Sequence, residues 1–227
     1  MKKTMRGLVL LILLSGCDLP GKPNPKDKFE PPTKVVDFSK LYAKNCAGCH
    51  GRDGKMGPAP PLNDPLFLEI APQKELVKVI AAGRAGTEMP AFALDKGGTL
   101  TAEQVQALAV GLRKKWGNAA AAKDAWPVYL LPAEKGDADR GKAVFARVCA
   151  ACHGQDGLGE EKRGPINDSA FLTLASEQLL RRIVITGRSD LGMPNYAGHD
   201  LDKLTAPEIN DLVALMMSWK QKGIAKK

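Results

Sequence analysis

Cys46-Ala47-Gly48-Cys49-His50 recurs 103 residues later as Cys149-Ala150-Ala151-Cys152-His153. Each string is the C-x-x-C-H pattern of c-type haem attachment, with two thiols for thioether bonds to the vinyl groups and an imidazole beside them for the iron. Cysteines three positions apart share one side of a helical turn, and the next residue projects its ring toward the macrocycle they hold. Zinc sites, thioredoxin-like pairs and disulfides also use C-x-x-C. Zinc, however, needs further ligands, and outside the two strings the chain has one histidine, His199, and one cysteine, Cys17. No βαβ pattern surrounds either string, as a thioredoxin-like site requires. The expectation is two covalent haems.

Outward from the two strings the chain repeats itself. The offset is 103 at Tyr42 and Phe145 and through both motifs, then 104: Pro61-Leu62-Asn63-Asp64 meets Pro165-Ile166-Asn167-Asp168, Gly83-Arg84 meets Gly187-Arg188, and Met89-Pro90 meets Met193-Pro194. It returns to 103 at Trp116 and Trp219, so the second copy carries one extra residue after its haem histidine. Two domains follow, 34–116 and 139–227, joined by a linker, 117–138. That linker, with its AAAA run and Trp126-Pro127-Val128-Tyr129, is long for a simple connector. It is expected to pack against both domains or to dock a partner.

Within each copy, helices are expected over 37–47 and 139–150, ending at the haem motif, and over 72–82 and 176–186, where ELVKVIAA and QLLRRIVI place apolar residues at helical spacing. A last helix starts at the capping-box patterns Thr101-x-x-Gln104 and Thr205-x-x-Glu208 and ends near Trp116 and Trp219. Pro207 suits a first turn, which needs no amide donor. The Gly-, Pro- and Asn-rich segments between read as loops over the haem, and no strand alternation is visible. The fold class is therefore all-α, two helical domains in tandem, each wrapped around one haem. So small a copy needs the macrocycle to complete its core. Trp116 and Trp219 read as packing elements rather than electron relays.

Residues 1–16 read as a signal peptide, with Lys2, Lys3 and Arg6 before the short apolar stretch Gly7 to Leu14. Leu14-Ser15-Gly16-Cys17 resembles the lipobox of bacterial lipoproteins, which implies lipidation of Cys17 and stable anchoring by two or three acyl chains. Residues 17–33 then form a lipidated cysteine and Pro-rich tether; the stretch 18–34 reaches at most about 53 Å as polyproline II. With four thiols for haem and one for lipid, no disulfide is expected. Loss of the signal basic residues reduces the formal charge from +8 to +5, and four propionates bring up to about −4. Nucleic-acid binding is thereby disfavoured.

With these motifs and the repeat in place, both halves resemble class I cytochromes c, and the tandem resembles a dihaem cytochrome of the cytochrome c4 type. The resemblance covers about 34–116 and 139–227. It implies a methionine, often followed by proline, as second axial ligand: Met89 opposite His50, and Met193 opposite His153. Met56 is only six residues past His50, Met216 and Met217 fall inside the last helix, and His199 reads as a loop histidine. The resemblance also implies that each proximal histidine donates to a proline carbonyl, Pro165 in the second copy and Pro61 or Pro58 in the first. Haem attachment outside the cytoplasm agrees with the signal peptide.

Histidine–methionine ligation fills both axial positions and suits one-electron transfer. The expected function is a membrane-anchored dihaem cytochrome c moving electrons between respiratory or photosynthetic partners, as a tethered shuttle or as a subunit of a larger membrane complex. It would face the periplasm or cell exterior, more readily at the cytoplasmic membrane, where Asp18 resembles a retention signal. It is read as an electron-transfer protein, not an enzyme. The alternative is a dihaem peroxidase or thiosulfate dehydrogenase-like enzyme, for which only His199 and Cys17 remain as extra ligands. Phe92 beside Met89 is apolar, whereas Asn195 and Tyr196 beside Met193 offer donors near the sulfur or the haem edge. Unequal haem potentials are expected.

Overall fold

Asp37 and Asp137 each accept a backbone N–H three residues on, at 2.8 Å, and so start α1 (Phe38–Asn45) and α6 (Ala138–Val148). The computed structural model describes residues 24, 29–122, 127–160, 163–196 and 203–225. The signal peptide, Cys17, Trp126 and His199 lie outside the described residues. Up to Lys34 a 3-10 turn, Pro32–Lys34, is described; everything that follows lies in Val35–Lys227, one unit.

The haem motifs occupy single turns, α2 (Ala47–His50) and α7 (Ala150–His153). Next come α3 (Pro65–Ile70) and α8 (Ser169–Leu174), where the sequence reading expected loops. Their signal is the aspartate before each: Asp64 accepts from Phe67 N at 3.0 Å and Asp168 from Phe171 N at 2.8 Å. Then follow α4 (Gln73–Ala82) with α9 (Glu177–Thr186), and α5 (Ala102–Trp116) with α10 (Ala206–Ala225). Both capping boxes form: Thr101 and Gln104 satisfy each other's backbone N–H, as do Thr205 and Glu208. Helix α10 does not end near Trp219 as expected but continues to Ala225. Gly117 ends α5 directly after Trp116, whereas the residue after Trp219 is Lys220, a good helix former. No strand occurs among the described residues.

In each copy the first helix packs against the last, α1 on α5 and α6 on α10. The repeat's aromatic pairs meet there edge to face, Tyr42 with Trp116 at 5.0 Å and Phe145 with Trp219 at 5.3 Å between centroids. Both tryptophans are thus packing elements. A close approach makes each crossing. A Cβ on Gly111 of α5 would sit 2.1 Å from the Phe38 ring, and one on Gly141 of α6 would sit 2.3 Å from the Asp211 carbonyl. Phe38 and Gly141 are equivalent in the repeat, so the small residue has moved from the last helix to the first.

Asp211 ties the second crossing together. Its buried carboxylate accepts from Asp137 N at 2.7 Å and from Arg140 Nε and Nη2, both at 2.9 Å. The Arg140 bonds come first in holding its pKa below the ordinary carboxylate range. A depressed carboxylate contributes stability that is present above its unfolded pKa, near 3.9, and is lost as pH falls through the folded value. Asp211→Asn is therefore expected to destabilise the second copy by about 1–3 kcal/mol at pH 7. The gap to wild type should narrow below about pH 4. Thermal melts of both proteins across that range check it; a gap that does not change with pH contradicts it.

The linker packs against both copies, the first of the two expectations. Tyr129 is buried in the first core with its ring 5.8 Å from Phe67. From α9, Arg181 Nε and Nη2 donate to the Val128 carbonyl at 3.0 and 2.6 Å, and Gln178 Nε2 donates to the Tyr129 carbonyl at 2.7 Å. Ile70 of the first copy packs on the second core.

Candidate haem sites

In the second copy, Cys149, His153 and Met193 line one cleft. The rest of its lining is apolar, with Phe145 from α6, Phe171 from α8, Ile183 from α9 and Met216 from α10 among it. Among the described residues, no other polar or charged side chain reaches the wall. Two thioether-forming or iron-binding groups from α7, a thioether sulfur from a distant loop, and an otherwise greasy wall suit a flat apolar macrocycle that needs attachment at an edge and a ligand on each face.

His50 Nδ1 lies 2.8 Å from the Pro60 carbonyl. A carbonyl only accepts, so Nδ1 carries the proton and Nε2 keeps a lone pair for iron. Burial pushes the His50 pKa down, which keeps the ring neutral. The His153 pKa is likewise lowered by burial. Its Nδ1 is buried beside the Gly164 carbonyl without a hydrogen bond of good geometry. Pro60 and Gly164 are equivalent at offset 104. The sequence expectation of Pro61 or Pro58 is therefore corrected to Pro60, and beside His153 it is the Gly164 carbonyl, not that of Pro165, that lies next to the ring.

Cys46 and Cys149 are half-buried, and burial pushes their thiols up to about 11 and about 12. Cys49 and Cys152 are exposed. Thiols held so far above neutral pH are poor nucleophiles in the folded chain.

The two methionine loops share one backbone device. Arg84 N donates to the Met89 carbonyl at 3.0 Å, and Arg188 N to the Met193 carbonyl at 3.0 Å. The preceding glycines end α4 and α9 at φ 68°, ψ −159° and φ 69°, ψ −166°, a region open essentially to glycine alone. The loop also lies directly on them. A Cβ on Gly83 would stand 2.5 Å from the Met89 carbonyl oxygen, and one on Gly187 2.3 Å from that of Pro194. Gly187→Ala is expected to push the loop off α9 and to abolish or weaken Met193 ligation in the holoprotein. The sulfur-to-iron charge-transfer absorption of the ferric form should fall by about half, one haem of two; an unchanged band contradicts the assignment.

Of the other methionines, Met56 is 74% exposed with φ 60°, while Met216 lines the second cleft from α10. The Tyr196 hydroxyl donates to the Val148 carbonyl at 3.1 Å, next to Cys149. Of the two places expected for its donor, the sulfur or the haem edge, the bond lies beside the haem-motif cysteine, and its proton ties the methionine loop to the end of α6. Tyr42, equivalent to Phe145, instead donates to the Gly51 carbonyl at 2.8 Å and pins the turn after His50.

Sequence reading missed Arg182. It is 6% exposed, donates Nη2 to the Pro61 carbonyl of the other copy, and lies 3.4 Å from the Phe67 ring centroid. Its signal was a pair of arginines inside the apolar run Leu179-Leu180-Arg181-Arg182-Ile183-Val184-Ile185.

The model of the family described as cytochrome c oxidase, cbb3-type, subunit III matches residues 34–110 and 136–216. The cbb3-type cytochrome c oxidase subunit CcoP of Rubrivivax gelatinosus is 31% identical over 193 residues, covering 84% of this chain and 56% of the relative. The subunit FixPc of Rhizobium leguminosarum bv. viciae is 32% identical over 192 residues, covering 79% and 60%. The chain thus spans somewhat over half the length of the curated relatives it matches. Among solved structures, a chain of the Kuenenia stuttgartiensis reducing HAO-like protein complex aligns with a TM-score of 0.48 and 21% identity, over 84% of this chain and 99% of that one.

Proposed function

Because this chain belongs to the family of cbb3-type cytochrome c oxidase subunit III, we propose that it is a dihaem electron carrier, working as a subunit of a larger membrane electron-transfer complex. Its partners would be redox centres of that complex, and it would catalyse no reaction of its own. The observation that carries this is the shared cleft of His153 and Met193. With His153 and Met193 both given to the iron, no coordination position would be left for a substrate.

Bound haem supplies one-electron ferric–ferrous chemistry. The protein's own groups set its terms. Cys46, Cys49, Cys149 and Cys152 fix the two macrocycles covalently. Neutral His50, oriented by the Pro60 carbonyl, and His153 offer Nε2 to iron. Met89 and Met193 offer thioether sulfur, which favours the ferrous state. The apolar wall of the second cleft excludes water and keeps reorganisation small.

The tether and the lipobox-like Leu14-Ser15-Gly16-Cys17 support an anchor through a lipid on Cys17, with the haem domains on the outer face of the cytoplasmic membrane. No described helix is long and apolar enough to cross a membrane. Purification of the native protein in mild detergent tests the subunit reading. Co-elution with the other subunits of a cbb3-type cytochrome c oxidase is expected; a monomer that passes electrons freely in solution overturns it.

A further inference from the structure

We propose that Arg182, supplied by the second copy, is a positioning residue for the haem of the first: it clamps the peptide that orients His50 and sets that haem's reduction potential by its fixed charge. The inference deepens the dihaem reading and rests on it.

Arg182 belongs to α9, and its neighbours Leu180, Ile183 and Val184 line the second cleft. Its own side chain is not in that lining. The guanidinium crosses instead to the first copy, where it donates to the Pro61 carbonyl and covers the face of Phe67. Pro61 follows Pro60, the acceptor for His50 Nδ1. Phe67 is equivalent to Phe171, which lines the second cleft. Arg182 therefore touches the two parts of the first copy that correspond to a haem wall and a haem-ligand support. The first copy has no such residue at the equivalent position, Lys78, whose side chain is 73% exposed.

The charge is under-compensated. Arg182 is 7% exposed at the side chain, and its nearest carboxylate, Asp64 Oδ2, is 3.9 Å away. That carboxylate also caps α3 through Oδ1. Arg188 is held by Asp190, with two contacts of 2.9 Å. Arg84 and Arg188 both lie close enough to repel the Arg182 charge, and Arg182 and Arg84 act on His50, whereas the arginine acting on His153 is Arg163. A buried positive charge opposes the extra positive charge of ferric iron and so favours ferrous iron. The field of Arg182 falls on the first site.

The test is a potentiometric titration of the full-length holoprotein and three variants, with the two steps assigned by separate Met89→His and Met193→His proteins. Arg182→Met keeps reach and removes charge. It should lower the first haem's reduction equilibrium constant by about tenfold, 59 mV for one electron, and leave the second unmoved. Arg182→Lys should recover most of that shift. Asp64→Asn keeps a cap on α3 and removes the opposing charge, so it should move the first haem the other way. Both haems unmoved, both moved equally, or Met and Asn variants shifting in the same direction would overturn the proposal. Should Arg182→Met not fold, the sign of the Asp64→Asn shift decides. Haem content separates the two readings. Two haems with unmoved potentials remove only the role of Arg182, whereas fewer than two in the wild type removes the dihaem reading as well.

Discussion

A chain carrying Cys149→Ala with Cys152→Ala is expected to hold one haem and to lose its folded second copy. The cleft at Cys149, His153 and Met193 is walled by apolar side chains of α6, α8, α9 and α10. Returning one large apolar side chain to water costs about 1.5–3 kcal/mol, so withdrawing the macrocycle from three or four of them costs on the order of 5–10 kcal/mol. A small domain has only about 5–15 kcal/mol of stability in total. The loss is comparable to the whole. Haem content should halve, and limited proteolysis should cut within 139–227 while sparing 34–116. A protected second copy without its haem would contradict the view that the macrocycle is part of its core.

Exchanging the sulfur ligand has the second large effect. Met193→His is expected to lower the second haem's potential by a few tenths of a volt, within the ~0.8 V range that axial ligands command. The thioether is the ligand that favours ferrous iron, and imidazole removes that preference. Redox titration checks it. Met216 lines the same cleft from α10 and is the internal control. Met216→Leu should leave the potential close to wild type. A potential that follows Met216 and ignores Met193 would reassign the ligand.

The repeat explains how much of this was legible. Periodicity and capping boxes located α4, α5, α9 and the start of α10, because these helices present one apolar face and begin at side chains that satisfy their own first N–H groups. The haem turns were visible as motifs. What escaped was short or relational. Helices α3 and α8 run six residues each, too few for a periodic signal, and only Asp64 and Asp168 mark their starts. Helix α10 overruns Trp219 because Lys220 rather than a glycine follows it directly, a difference between copies. The acceptor Pro60 was missed by one position from Pro61, since a backbone carbonyl leaves no mark in residue type. Arg182 could be seen as a charge in an apolar run, but its destination in the other copy belongs to the tertiary structure. Tyr196 shows the same limit: residue type announces a donor, and packing decides that its proton goes to the Val148 carbonyl.

That destination also bears on the asymmetry between copies. Phe92 and Tyr196 differ in polarity, but the hydroxyl of Tyr196 is spent on the main chain. The charges acting on the two histidines differ as well, Arg182 with Arg84 on His50 against Arg163 on His153. The seam between copies would then contribute to unequal potentials beside the methionine loops.

The central claim is that each copy holds one covalent haem on its C-x-x-C-H turn. The intact mass of the purified chain, measured after denaturation, tests it most directly. The mature polypeptide plus two haems is expected, both retained when the fold is gone; a mass with one haem or none would contradict it.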